Sequence, residues 1–117
     1  MALSQAVLSG DDATNGAPPA LSVNEPIAKV DGRFLAAGWR PQPAQNPLPF
    51  ERRLAGNSLD SLSSCSGTGL GLCRYDYRRG NDALAVVTVP GANGEGLVHS
   101  WFHPDLSPAR IPRSGDF

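Results

Sequence analysis

Long apolar runs are missing from this sequence. No stretch approaches the ~18 residues that a membrane-crossing helix needs, so no membrane span is expected. A charge excess is missing too: 10 basic residues stand against 11 acidic ones, for a formal net charge of −1. A nucleic-acid binder draws on a basic excess or a clustered basic face. Neither is visible, and no nucleic-acid partner is expected. The basic dipeptides Arg52-Arg53 and Arg78-Arg79 read as solvated loop or strand ends. Histidine is scarce. His99 and His103, four residues apart on a strand, would stand about 13 Å from one another, too far to share a metal ion. With only 2 cysteines besides, a four-ligand structural zinc site is out of reach, and no cofactor is expected. The opening residues, Met1 to Gly10, contain no Lys or Arg and only a broken apolar stretch, so they do not read as an export signal. A cytosolic protein fits this start, and so does a mature form whose export signal has given way to a start Met.

What is present suits one small domain. The chain has 117 residues, with 13 glycines and 11 prolines, which points to a compact core with loose ends. A core of fewer than about 100 residues is marginal alone, so a covalent staple would matter. Residues 1–23 lack periodicity and contain Asp11-Asp12 and Pro18-Pro19 among small side chains. They read as a flexible tail that cannot offset its ordering entropy. Residues 24–104 read as the domain and 105–117, with Pro108 and Pro112, as a second tail.

Within the domain the first strong signal is a helix predicted over 25–37. Asn24 reads as its N-cap, Glu25 suits the positive end, and Pro26 fits the first turn, where a missing N–H costs nothing. Ile27, Val30, Phe34 and Leu35 mark an apolar stripe, with Lys29, Asp31 and Arg33 off it. Gly38 should end the helix in the left-handed conformation, Trp39 should fold back on the last turn, and Pro41 bars continuation. Residues 40–64 then read as a long connection. One helical turn at 50–54 is stopped by Gly56-Asn57, Leu54, Leu59 and Leu62 act as anchors, and Ser58, Ser61, Ser63 and Ser64 make a polar end.

The second strong signal is a meander. In 72–78, Cys73, Tyr75 and Tyr77 alternate with Arg74, Asp76 and Arg78, and Asp76 reads as a surface charge between its two arginines. Residues 83–89 lack polar alternation and read as a central strand buried on both faces; 97–102 follow as a third strand. The fold class expected is α+β, one helix packed on a three-stranded antiparallel sheet. Phe34, Trp39, Tyr75 and Trp101 should supply much of the core.

Cys65 and Cys73 bracket a loop with three glycines, which lets the two Cα atoms meet at disulfide distance. A structural disulfide is the first reading, two buried free thiols the second, and a nucleophilic or redox cysteine the third. Gly67-Thr68-Gly69-Leu70-Gly71 superficially has the look of a phosphate-binding loop, but a strand follows it rather than a helix and no Lys-Ser/Thr pair completes it.

Gly38-Trp39-Arg40-Pro41, followed by Cys65-Ser66-Gly67-Thr68-Gly69 and Cys73-Arg74-Tyr75, resembles small uncharacterised bacterial exported domains. These have a Gly-Trp-x-Pro turn and a Cys-x-Gly-Thr-Gly loop closed by a second Cys. The order of helix and strands also resembles, in architecture alone, the half-repeat of β-lactamase-inhibitor-like and peptidase-propeptide-like modules. The first resemblance implies a periplasmic or secreted setting and a Cys65–Cys73 bridge; it implies no activity.

Three functions fit. One is a non-enzymatic binding module of the bacterial envelope or exterior, inhibition being one form such binding takes. Its partner, another protein, would be met by the sheet face away from the helix and the 40–64 connection, through Arg74, Asp76, Arg78, Arg52 and Arg53. The alternative is a cytosolic accessory subunit or phage-type inhibitor that wraps a larger protein. The third is a small thiol-dependent enzyme using Cys65 or Cys73 with His99 or His103.

Overall fold

The structure, a computed structural model, describes residues 20–67 and 69–104. It is α+β, with two helices and a five-stranded antiparallel sheet. The elements run α1 (Ile27–Ala36), β1 (Arg40–Pro41), α2 (Pro49–Ala55), β2 (Leu62–Cys65), β3 (Cys73–Arg79), β4 (Asp82–Pro90) and β5 (Gly96–Phe102). The expected three-stranded meander is β3, β4 and β5. The sheet has two strands more because β1 and β2 both pair with β3, end to end along its other side.

Helix α1 is shorter than the expected 25–37. Asn24 is not its N-cap: it adopts φ 75° and turns the chain, and Pro26 takes the N-cap position without a side-chain cap. Asn is among the few residues that enter the left-handed region readily. The C-terminal end is as expected. Gly38 has φ 91°, its N–H donates to Leu35 O and the Trp39 N–H donates to Phe34 O, the paired bonds of a Schellman stop. Trp39 is fully buried, with its ring centroid 5.8 Å from that of Phe34.

The buried stripe of α1 is Ile27, Val30, Asp31 and Phe34. Leu35 is exposed, because one residue past Phe34 is about 100° around the helix. Asp31 is inside, because it lies four residues from Ile27 and three from Phe34. The stripe packs on the sheet face that carries Tyr77, whose ring stands edge-on to Phe34 at 4.9 Å. Strand β4, between β3 and β5, is buried on both faces from Leu84 to Thr88, as its composition indicated. Trp101 was expected in the core but is 36% exposed, because it sits near the end of an edge strand.

The 40–64 connection is ordered. Helix α2 ends at Gly56 in the left-handed conformation. Ser61 and Ser63, expected at a polar end, are buried. Leu62 is fully buried and Leu59 packs against the core, whereas Leu54 is exposed. Cys65 and Cys73 are directly opposed in the β2–β3 register and form a disulfide with Cα atoms 4.0 Å apart. Residues 20–23 pack back on α1: Leu21 touches the core and Ala20 O accepts from Arg33 Nη2. Of the tails expected at 1–23 and 105–117, residues 1–19 and 105–117 lie outside the described residues.

Candidate interaction surface

The chemistry-bearing side chains fall into two sets, one turned inward and one turned outward. The inward set binds itself. Ser61 Oγ donates to Tyr77 OH at 3.0 Å, and Tyr77 OH donates to Asp31 Oδ1 at 2.7 Å. Burial pushes both the Tyr77 and the Tyr75 phenol above the ordinary tyrosine range. Asn57 Nδ2 donates to Tyr75 OH at 2.9 Å. Glu51, also buried, accepts the Leu48 N–H on Oε1 and the Cys65 N–H on Oε2, so one carboxylate caps α2 and ties it to β2. Sequence reasoning missed Glu51. The available signal was its place three residues into a Pro-led helical turn, where a glutamate reaches back to the N-cap N–H.

Asp76 is not the surface charge that alternation suggested. It is buried, accepts both Nε and Nη2 of Arg74 at 2.9 Å, and takes the Ser63 hydroxyl as well. Arg74 also lies over the Phe102 ring, 5.1 Å from its centroid. In the register Arg74 faces Val87 and Asp76 faces Ala85 across to Phe102, so the guanidinium stem crosses β4 and shelters both buried residues. Of the residues proposed for partner contact, then, Arg74 and Asp76 are engaged with each other. Arg52 Nη1 donates to Leu59 O at 2.6 Å, Arg78 is half-buried, and Arg53 is exposed.

Both cysteines of the chain are in the disulfide and buried, so neither offers a thiol. His99 is exposed, with Nδ1 3.0 Å from Ser100 Oγ, and His103 Nδ1 lies 3.0 Å from Ala83 O. Among the described residues no group of three or more His, Cys, Asp or Glu is placed to hold a metal ion. No helix among them is long and apolar enough to cross a membrane.

The outward set centres on the free side of β5. Its first half is covered: the Asn24 N–H donates to Val98 O at 2.7 Å, the Val98 N–H donates to Glu25 O at 2.8 Å, and Pro26 bridges Leu97. The turn at Val23-Asn24 then takes the chain away, held by Glu25, whose Oε1 accepts the Ser22 N–H and Arg33 Nη2. The hydrogen bond from Arg33 keeps the Glu25 carboxyl below its ordinary range. Past Val98, no strand among the described residues pairs with that side of β5. Beside it lies an open hollow of about 280 Å³ lined by Val23, His99, Ser100 and Trp101. Compared with known protein families, curated proteins and solved structures, the chain matches none.

Proposed function

We propose that the chain is a non-enzymatic protein-binding module of the bacterial envelope or exterior, which meets its partner along the outer side of β5. The observation that carries this reading is the exposed Trp101, set with Val23 in a hollow beside four residues of strand edge. An edge of this kind takes an added strand through backbone hydrogen bonds, and a neighbouring apolar hollow selects a side chain of that strand. Tryptophan supplies a large contact area with few rotors to order, which suits it to such a centre. Inhibition follows where the strand so captured belongs to an enzyme's own active-site rim.

The Cys65–Cys73 disulfide supports the location, since such bonds persist mainly in oxidising compartments. A cytosolic accessory subunit or phage-type inhibitor would need both thiols reduced, and the thiol-enzyme reading would need one of them free. The test compares partner capture from envelope and secreted fractions by the wild-type chain and by Trp101→Ser. We expect one partner held by the wild type and lost in the variant, with the thermal transition unchanged. Equal capture by both, or a turnover activity intact in Trp101→Ser, would overturn the reading. Intact-mass alkylation with and without reductant tests the location: both cysteines should stay blocked until reduced.

A further inference from the structure

We propose that the free edge of β5 is guarded by a second copy of the chain: two copies pair antiparallel through this edge, Trp101 against Trp101, and a partner strand gains the edge by displacing the copy. The pairing rests on the edge alone; the displacement rests on the partner contact proposed above. An open strand edge accepts another edge, and proteins blunt theirs with Lys, Pro, bulges or a covering segment. Here the cover stops at Val98, where the backbone bonds of Asn24 and Glu25 end. An extra residue, His99, shifts the β4–β5 register at one end of the free stretch, and Pro104 follows its other end. Between them Ser100, Trp101 and Phe102 run in regular register with Val87, Val86 and Ala85. None of the residues from Leu97 to Phe102 is Lys, Arg, Asp or Glu, so no charge on the strand repels an identical strand.

Symmetry then fixes the arrangement. A two-fold axis that sets two such edges side by side antiparallel stands perpendicular to the sheet, passes between one residue and its own copy, and keeps every side chain on its original face. Trp101 pairs with Val86 and Val86 with Tyr75, so Trp101 lies on the face that carries α1, while Ser100 and Phe102 lie on the other. Centred on Trp101, the pairing sets Ser100 opposite Phe102 of the second copy. It also sets the two indoles opposite one another, with Cβ atoms roughly 4.5–5.5 Å apart, the aromatic cross-strand pair that stabilises sheets. Trp101 and Val23 beside it are both exposed and supply the apolar surface that each copy covers on the other. That surface is small. A short edge with one tryptophan and one valine per copy falls well below the ~800 Å² per partner of a standard interface. The dimer is therefore weak and exchanges, which leaves the edge open to a strand whose side chain fills the hollow better.

Sedimentation equilibrium and amide hydrogen exchange on the purified full chain test the pairing. The mass should climb toward twice the monomer's between about 1 μM and about 1 mM, and exchange at 99–102 should slow in step. Trp101→Lys and Trp101→Glu should each stay monomeric and keep the wild-type melting temperature in dilute solution. Mixed, they should recover a dimer with one copy of each, because opposite charges then stand opposed. A wild type that stays monomeric throughout would overturn the proposal. So would slow exchange at 99–102 that persists on dilution, which means an edge covered within one chain. A dimer still formed by Trp101→Lys, or mixed variants that stay apart, would refute the Trp101 register. A capped peptide of residues 97–103 is the probe for displacement: it should convert the dimer to a peptide-bound monomer, and a complex of two copies with the peptide would rule displacement out. Partner capture is read separately, in solutions dilute enough to keep the chain monomeric. Capture without a dimer sinks the pairing and spares the partner contact; a dimer without capture does the reverse.

Discussion

Tyr77 shows how single residues hold this fold together. Its hydroxyl links Ser61 on one side to Asp31 on the other, joining β3 to α1 through atoms that water would otherwise have to satisfy. Tyr77→Phe keeps the ring against Phe34 but leaves a buried carboxylate and a buried hydroxyl without their bridge. The expected cost is about 1–3 kcal/mol, read as a lower urea midpoint at unchanged slope. The chain has 2 tyrosines, and burial raises the pKa of both. Unfolded tyrosine ionises near pH ~10. Above that, the unfolded state has shed protons that the folded state keeps, so rising pH favours unfolding. Stability is full below pH ~10 and falls as pH climbs toward the folded values. An absorbance titration should therefore show less phenolate in the folded chain than in the unfolded one at about pH 10. The loss of near-ultraviolet dichroism should bring a further rise in phenolate. Equal ionisation of the folded and unfolded chains near pH ~10 would contradict the burial.

Among the elements, the two helix stops and the helix interior separate three roles of glycine. Gly32 is exposed within α1, with open space where a Cβ would sit, so Gly32→Ala should stabilise by up to about 1 kcal/mol. Gly38→Ala must hold a left-handed residue at the Schellman stop and should cost about 1–2 kcal/mol. Gly56→Ala should cost more, because its Cβ would also stand 2.9 Å from the Gly94 backbone oxygen. Thermal unfolding of the three variants checks the order, and a Gly56→Ala loss no larger than that of Gly38→Ala would contradict it. These elements also show what the sequence makes legible. Period and punctuation lie within a few residues, so α1, its Gly38-Trp39 stop and strands β3 to β5 could be read directly. Strands β1 and β2 could not. Two residues in Arg40–Pro41 carry no period, and Leu62–Cys65 is half serine. Their identity as strands comes from a distant partner, β3, which no local pattern encodes. Asp76 was misread for the same reason: alternation gives the face correctly, but only the tertiary fold brings Ser63 and the Arg74 stem over it.

For the molecule as a whole, the candidate surface was less legible than the fold. The arginines of β3 were visible, but which of them stay outward depends on pairings made across the sheet. Trp101 read as core because an aromatic in a strand usually is, and its position at an edge emerges only from the strand order. The disulfide divides the whole in an instructive way. Strands β3, β4 and β5 with α1 form a continuous unit. Strand β2 joins it along one side of β3 alone, and α2 is tied to β2 through Glu51 and the Cys65 N–H. Cys65–Cys73 thus clamps an annex of α2 and β2 to the main sheet. Removing the clamp in Cys65→Ala/Cys73→Ala opens a loop whose ends are 8 residues apart in sequence, for a loss of about 2.5 kcal/mol in the chain-entropy model. The loss should be uneven. Amide hydrogen exchange should quicken in β2 and α2, where Glu51 loses its anchor as β2 lifts, while β4 keeps its protection from neighbours on both sides. Trp101 and the β5 edge lie across the sheet from the annex, so the partner capture proposed for that edge should survive in the double variant below its melting temperature. Uniform loss of protection through β4 would mean that the annex and the sheet fold as one unit, with the disulfide stabilising all of it rather than one side.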